Sequence, residues 1–193
     1  MKTLISLFAL FLSLTLTAQT NTANWYLNDT SGGIQSPSNT ASGTYSTAMG
    51  RETTASEYGS TAMGEGTTAS GNYSTAMGYS TRASGSVSVA MGNTTIASGN
   101  FSTAMGQLTT ASGNYSTVMG LSTIASGDYS TAMGYSTRAS GGISTAMGNT
   151  TIASGFASTT MGQLTTASGN YSCLLYTSPS PRDLRKSRMP ASA

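Results

Sequence analysis

The stretch ASGNYSTAMGYSTRASGSVSVAMG, Ala69–Gly92, sets the same short word down twice. Ala69-Ser70-Gly71 returns as Ala83-Ser84-Gly85, and Ser74-Thr75-Ala76-Met77-Gly78 returns as Ser88-Val89-Ala90-Met91-Gly92, a step of 14 residues. Carried outwards, that step never slips. Met49, Met63, Met77, Met91, Met105, Met119, Met133, Met147 and Met161 each precede a glycine. Thr53 and its equivalents keep the same spacing as far as Thr165, and the Ala-Ser pair runs from Ala41 to Ala167. A strict internal period is the mark of a repeat architecture and governs the rest of the reading. The block beginning at Tyr79 nearly recurs from Tyr135, a shift of 56 residues or four words, which points to duplication of a four-word block.

Glycine follows Ala-Ser and follows Met in nearly every copy, as at Gly71 and Gly78 or Gly99 and Gly106. These glycines supply the freedom that tight turns require. Between them lie stretches such as Tyr73–Met77 and Arg82–Ser84, long enough for strands and too short for useful helices. Two strands and two turns per word predict one coil of a parallel β-solenoid, each coil pairing with the next at about 4.8 Å. Nearly ten such coils predict a rod on the order of 45 Å long. Collagen is excluded, because it needs glycine at every third position.

Comparison of the copies separates fixed columns from variable ones. The methionines never vary, the Thr47 column admits only Val89, and the Ala48 column admits only Val118 and Thr160. Arg51, Glu65, Tyr79, Asn93, Gln107 and Leu121 by contrast share one position. Alternate residues of a strand face the same way, so Met49 and Thr47 share one face and Ser46 and Ala48 the other. The invariant methionine column is expected to form the structural core. One coil buries too little apolar surface to offset the ordering of its backbone, so several rolls are expected to associate.

The two ends differ from the repeat. Lys2, the apolar run Leu4–Leu16 and the small residues Thr17-Ala18 predict a secretory signal peptide over residues 1–18, too short to span a bilayer. Residues 19–40, with Trp25 and Tyr26, have no period and are expected to form a leader or a cap on the first coil, with the two aromatics as a conceivable ligand site at the tip. From Cys173 the period is lost. CLLYTSPSPRD, followed by SRMPASA, resembles an in-frame translation of a transposon-type sequencing adaptor, so residues 173–193 are expected to be non-native and the protein to continue past Ser172.

That tail holds Arg182, Arg185, Lys186 and Arg188, four of the eight basic residues, and it dominates the formal charge of +2. Residues 19–172 carry Arg51, Arg82 and Arg138 against Asp29, Glu52, Glu57, Glu65 and Asp128. No basic stripe remains to follow a phosphate backbone, so no nucleic-acid partner is expected. The sole cysteine, Cys173, offers no disulfide framework.

On these residues the chain resembles the head repeats of trimeric autotransporter adhesins, the YadA-like head. The likeness covers Ala41–Ser172 and departs from the usual pattern in carrying Met for Ile or Leu and Thr for Val. It implies an all-β fold, a left-handed parallel β-roll of 14-residue repeats, in which three chains pack side by side as a homotrimer. It also implies attachment to a host or substratum ligand, at the cell surface or in secreted form. Attachment to an outer membrane is expected only through a C-terminal anchor beyond Ser172.

Catalytic chemistry is not expected. The chain has no histidine, its carboxylates are not paired for acid–base work, and its serines have no base to activate them. No phosphate-binding glycine loop is present, and neither a cofactor nor a metal is implied. Asn72, Asn93 and Asn114 begin glycosylation sequons that recur because the repeat does. Tyr79 and Arg82, repeated as Tyr135 and Arg138, are the candidate surface contacts, being of the residue types that dominate interface energetics. Two other functions fit the same repeat. Threonines at Thr47 and Thr53 could order water in an ice-binding solenoid, and the roll could be the shaft of a secreted or phage-like fibre ending in a self-cleaving chaperone domain.

Overall fold

When one word is repeated without slippage, each backbone group of a coil can meet its own equivalent in the next. The structure, a computed structural model, describes residues 26–28, 33–35 and 38–175. Each coil contributes a long strand, from Thr47–Arg51 to Thr159–Gln163, and a two-residue strand, from Thr40–Ala41 to Thr166–Ala167. Long strands pair only with long strands and short with short, all parallel, one repeat apart. Met91 lies between Met77 and Met105, and Ala97 lies between Ala83 and Ala111. The described residues thus form two sheets, one of twelve strands and one of ten, without a helix. This is the parallel β-solenoid expected from the period.

The long-strand sheet is extended at both ends. Tyr26–Asn28 pairs antiparallel with Gly33–Gln35, which in turn lies parallel to the first long strand with Ile34 beside Thr47. Beside it the Asn39 amide takes the place that Thr53 holds one coil later. It accepts from the Thr53 N–H at 3.0 Å and donates to the Gly50 carbonyl at 3.0 Å. At the far end Cys173–Leu175 adds a strand in register with Thr159–Met161. Residues 1–25 and 176–193, with the expected signal peptide, Trp25 and most of the expected non-native tail, lie outside the described residues.

The space between the sheets is filled by small side chains. Ala48 and Ala55 and their equivalents in the next seven coils are 0% exposed, Val118 standing in for alanine in one coil. Ser46 and Thr53 and their equivalents complete the interior. While Ser46 and Ser144 leave Oγ without a partner, most inner serines bond their hydroxyls to the turn that precedes them, as Ser102 Oγ donates to the Gly99 carbonyl at 2.6 Å. The inner threonines do not: Thr53, Thr67, Thr81, Thr95, Thr109, Thr123, Thr137 and Thr151 each leave Oγ1 without a hydrogen-bond partner. In the coil where threonine replaces the inner alanine, Thr160 Oγ1 and Thr165 Oγ1 meet at 2.6 Å.

One expectation is corrected. Met49, Met63, Met77, Met91, Met105, Met119, Met133, Met147 and Met161 do not form the core of the single chain. They are half-buried on the outer face of the long-strand sheet, beside the half-buried Thr47 row. The physical reason is width. The space between the sheets is already filled by the small side chains of the Ala48, Ala55, Ser46 and Thr53 rows, which are almost fully buried. An interior of that gauge admits Ala, Ser and Thr but not a row of methionines.

The two turns of the coil use left-handed backbone repeatedly. Gly78 has φ +123°, and a Cβ there would meet the Gly92 carbonyl oxygen at 2.0 Å, so this glycine is required on both counts. Apart from Gly59 and Gly66, non-glycine residues fill the other left-handed positions, including Tyr115 (φ 56°), Val87 (φ 55°) and Leu108 (φ 55°). Such conformations cost on the order of 1–3 kcal/mol each. The inter-coil ladder holds them in place: the Tyr115 N–H donates to the Asn100 carbonyl at 2.8 Å, and the Leu108 N–H to the Asn93 carbonyl at 2.9 Å.

Candidate interaction surfaces

Because side chains alternate across a strand, the roll presents two outer faces and two corners. The outer face of the long-strand sheet carries the Thr47 and Met49 rows. Both rows are nearly invariant and both are only half-buried. Their chemistry is uncharged, an apolar methionine row beside a row of threonines.

The outer face of the short-strand sheet is built from one variable row. Thr68, Arg82, Ile96 and Thr110 follow one another in register, then Ile124, Arg138 and Ile152. Arg82 and Arg138 are exposed there. Tyr79 and Tyr135 end their long strands at the neighbouring corner, 52% and 51% exposed. No ring or ion-pair contact joins either tyrosine to its arginine. The two patches also differ in surroundings: Tyr79 lies between Glu65 and Asn93, Tyr135 between Leu121 and Asn149. Nearer the N-terminal end, Arg51 forms an ion pair with Glu65 of the adjacent coil.

The corner preceding the long strand carries a feature that the sequence reading missed, a ladder of aromatic side chains. Phe101, Tyr115 and Tyr129 stack in parallel with ring centroids 4.9 Å apart. Tyr45, Tyr58 and Tyr73 form edge-to-face pairs at 5.6 and 5.3 Å, and Phe156 meets Tyr171 at 5.8 Å. Beside the rings runs a second ladder. Asn100, Asn114 and Asp128 each accept, through their side-chain oxygen, the N–H of the equivalent residue one coil earlier, at 2.8–3.1 Å. The signal lay in the word itself, one place before the inner serine. It was obscured because in two coils the aromatic moves one residue earlier, to Tyr58 and Phe156.

The family model for the YadA head domain repeat, which spans two copies, matches seven overlapping windows: 41–67, 55–81, 69–95, 83–109, 97–123, 111–137 and 125–151. The chain belongs to the YadA head family. Comparison with curated proteins found no match. The match steps by one word at a time, so the YadA-head repeat and the geometric coil are the same unit. The faces and corners described above are therefore those of a YadA-type head roll.

Proposed function

We propose that the chain is the head of an adhesin displayed at the cell surface or secreted, and that it assembles as a homotrimer through the outer face of its long-strand sheet. The observation that carries this reading is the pairing of invariance with exposure. A methionine column that never varies, yet is only half-buried in one chain, is explained if neighbouring chains complete its burial. Membership of the YadA head family supports the same arrangement.

Adhesion then falls to surfaces turned away from the trimer axis. Arg82 and Arg138 on the short-strand sheet are the proposed outward contacts, four coils or roughly 19 Å apart along the rod, with Tyr79 and Tyr135 at the corner where that face meets the trimer face. Many weak, repeated contacts on a rod act by avidity rather than through one pocket. Two variants test this: one with all four residues changed to Ser and Thr, one with only the arginines changed. Reduced attachment to cells or matrix with an intact trimer supports the proposal, and undiminished attachment by the fourfold variant rejects these patches.

The geometry weighs against the ice-binding alternative. That reading needed threonine ranks on one flat exposed face, whereas the Thr53 rank points inward and is almost fully buried. A measurement of thermal hysteresis separates the two readings.

A further inference from the structure

The two corners that flank the methionine face match one another coil by coil. Where the corner before the long strand carries an aromatic, the corner after it in the same coil carries one large apolar side chain. Tyr73 goes with Tyr79, Phe101 with Leu108, Tyr115 with Leu121 and Tyr129 with Tyr135. Phe156, shifted by one place, goes with Leu164. Where the first corner is aliphatic, at Val87 and Ile143, the second is polar, Asn93-Thr94 and Asn149-Thr150. The 56-residue repetition makes the pattern one of four coil types, three aromatic and one aliphatic. Only the first two coils depart from it, and there Arg51 and Glu65 pair with each other within the chain.

The matched residues do not meet within one chain. Phe101 and Leu108 are separated by the whole long strand Thr103–Gln107, roughly 16 Å of extended backbone. Both remain largely exposed, at 49% each. Both also hold left-handed backbone, a conformation that bulky side chains adopt only at a cost.

We propose that the aromatic corner of one chain packs against the opposite corner of the next chain at the same height, forming a ring-lined seam at each of three trimer edges. The inference rests on the trimer reading above and adds to it which residues meet. In a cyclic trimer the contacts are heterologous, so the left edge of each inward-facing sheet necessarily adjoins the right edge of its neighbour, without axial offset. The seam is continuous with the Thr47 and Met49 rows, and from the coil of Tyr73 onward its only charged residue is Asp128, whose carboxylate is already engaged by the Asn114 N–H. It takes Tyr79 and Tyr135 into the assembly and leaves Arg82 and Arg138 as the outward contacts.

The test uses the full chain carrying Cys173→Ser, with Phe101→Cys and Leu108→Cys introduced together and separately. Cysteines at these two sites cannot bridge within one chain, since a disulfide needs Cα atoms within about 7 Å. Oxidation, repeated with a short bis-maleimide so that disulfide geometry is not limiting, is read on a non-reducing gel beside sedimentation of the same sample. The expected result is a covalent trimer from the double variant and no cross-linking from either single variant. A Phe101→Cys, Thr110→Cys pair, which places one thiol on the short-strand sheet, should give none. Trimers in sedimentation that do not cross-link, or that cross-link through Phe101→Cys alone, overturn the seam while sparing the trimer. A monomer in sedimentation overturns both.

Discussion

At Gly106 a single added methyl group would stand 2.1 Å from the Gly120 carbonyl oxygen, on a backbone with φ +116°. Gly106→Ala should therefore cost at least about 1–3 kcal/mol from the backbone term alone, read as a lowered midpoint in denaturant unfolding. The interior is equally intolerant of bulk. Ala104→Leu overfills it and should cost about 1–3 kcal/mol. Ala104→Thr is a different case, because the Thr160–Thr165 hydroxyl pair shows that threonine fits this column. It would give the Thr109 hydroxyl the partner it lacks, and the expected change in stability is within about 1 kcal/mol of zero or favourable. A loss as large as that of Ala104→Leu would contradict the described interior. The glycine columns were legible in the sequence, since an invariant glycine at a fixed step announces a turn. The inner threonines were not, because a buried hydroxyl without a partner has no signature that distinguishes it from an exposed one.

At the scale of the strand, the alternation of Thr47, Ala48 and Met49 separated two faces in the sequence, and the structure agrees. Which face looks inward was not legible. Both were nearly invariant, and methionine, being larger and more apolar than alanine, was assigned to the core. The decisive quantity was the room between the sheets, which the Ala48, Ala55, Ser46 and Thr53 rows already fill. A direct consequence follows for mutants. Ala104→Asp should unfold the roll, since it places an unpaired charge between the sheets. Met105→Asp should leave circular dichroism close to wild type while abolishing association. If Met105→Asp unfolds the chain as thoroughly as Ala104→Asp, the outward placement of methionine is wrong. The corner ladder gives a further contrast. Val87 stands between Tyr73 and Phe101 in the corner column but takes part in no ring–ring stack, and it holds φ 55°, so Val87→Asn should raise stability by up to about 1 kcal/mol by relieving left-handed strain. Tyr115→Asn gains the same relief but loses two stacked neighbours, each worth about 0.5–1.5 kcal/mol, so thermal unfolding should show no gain.

For the whole molecule, the period alone gave the rod, its two sheets and their register, because every coil repeats one backbone path. What the period could not give was the surface on which rods meet, since that depends on how far each row is left uncovered after a single chain has folded. The methionine and threonine rows are that surface in this account, and their uncharged character has a measurable corollary. Association driven by apolar burial should change little between low and high salt, where a charge-based interface would weaken as screening rises. The most direct measurement is sedimentation equilibrium of the chain at micromolar concentration, beside Met105→Asp. The account predicts a stable trimer for the wild type and a folded monomer for the variant. A well-folded wild-type monomer would contradict it.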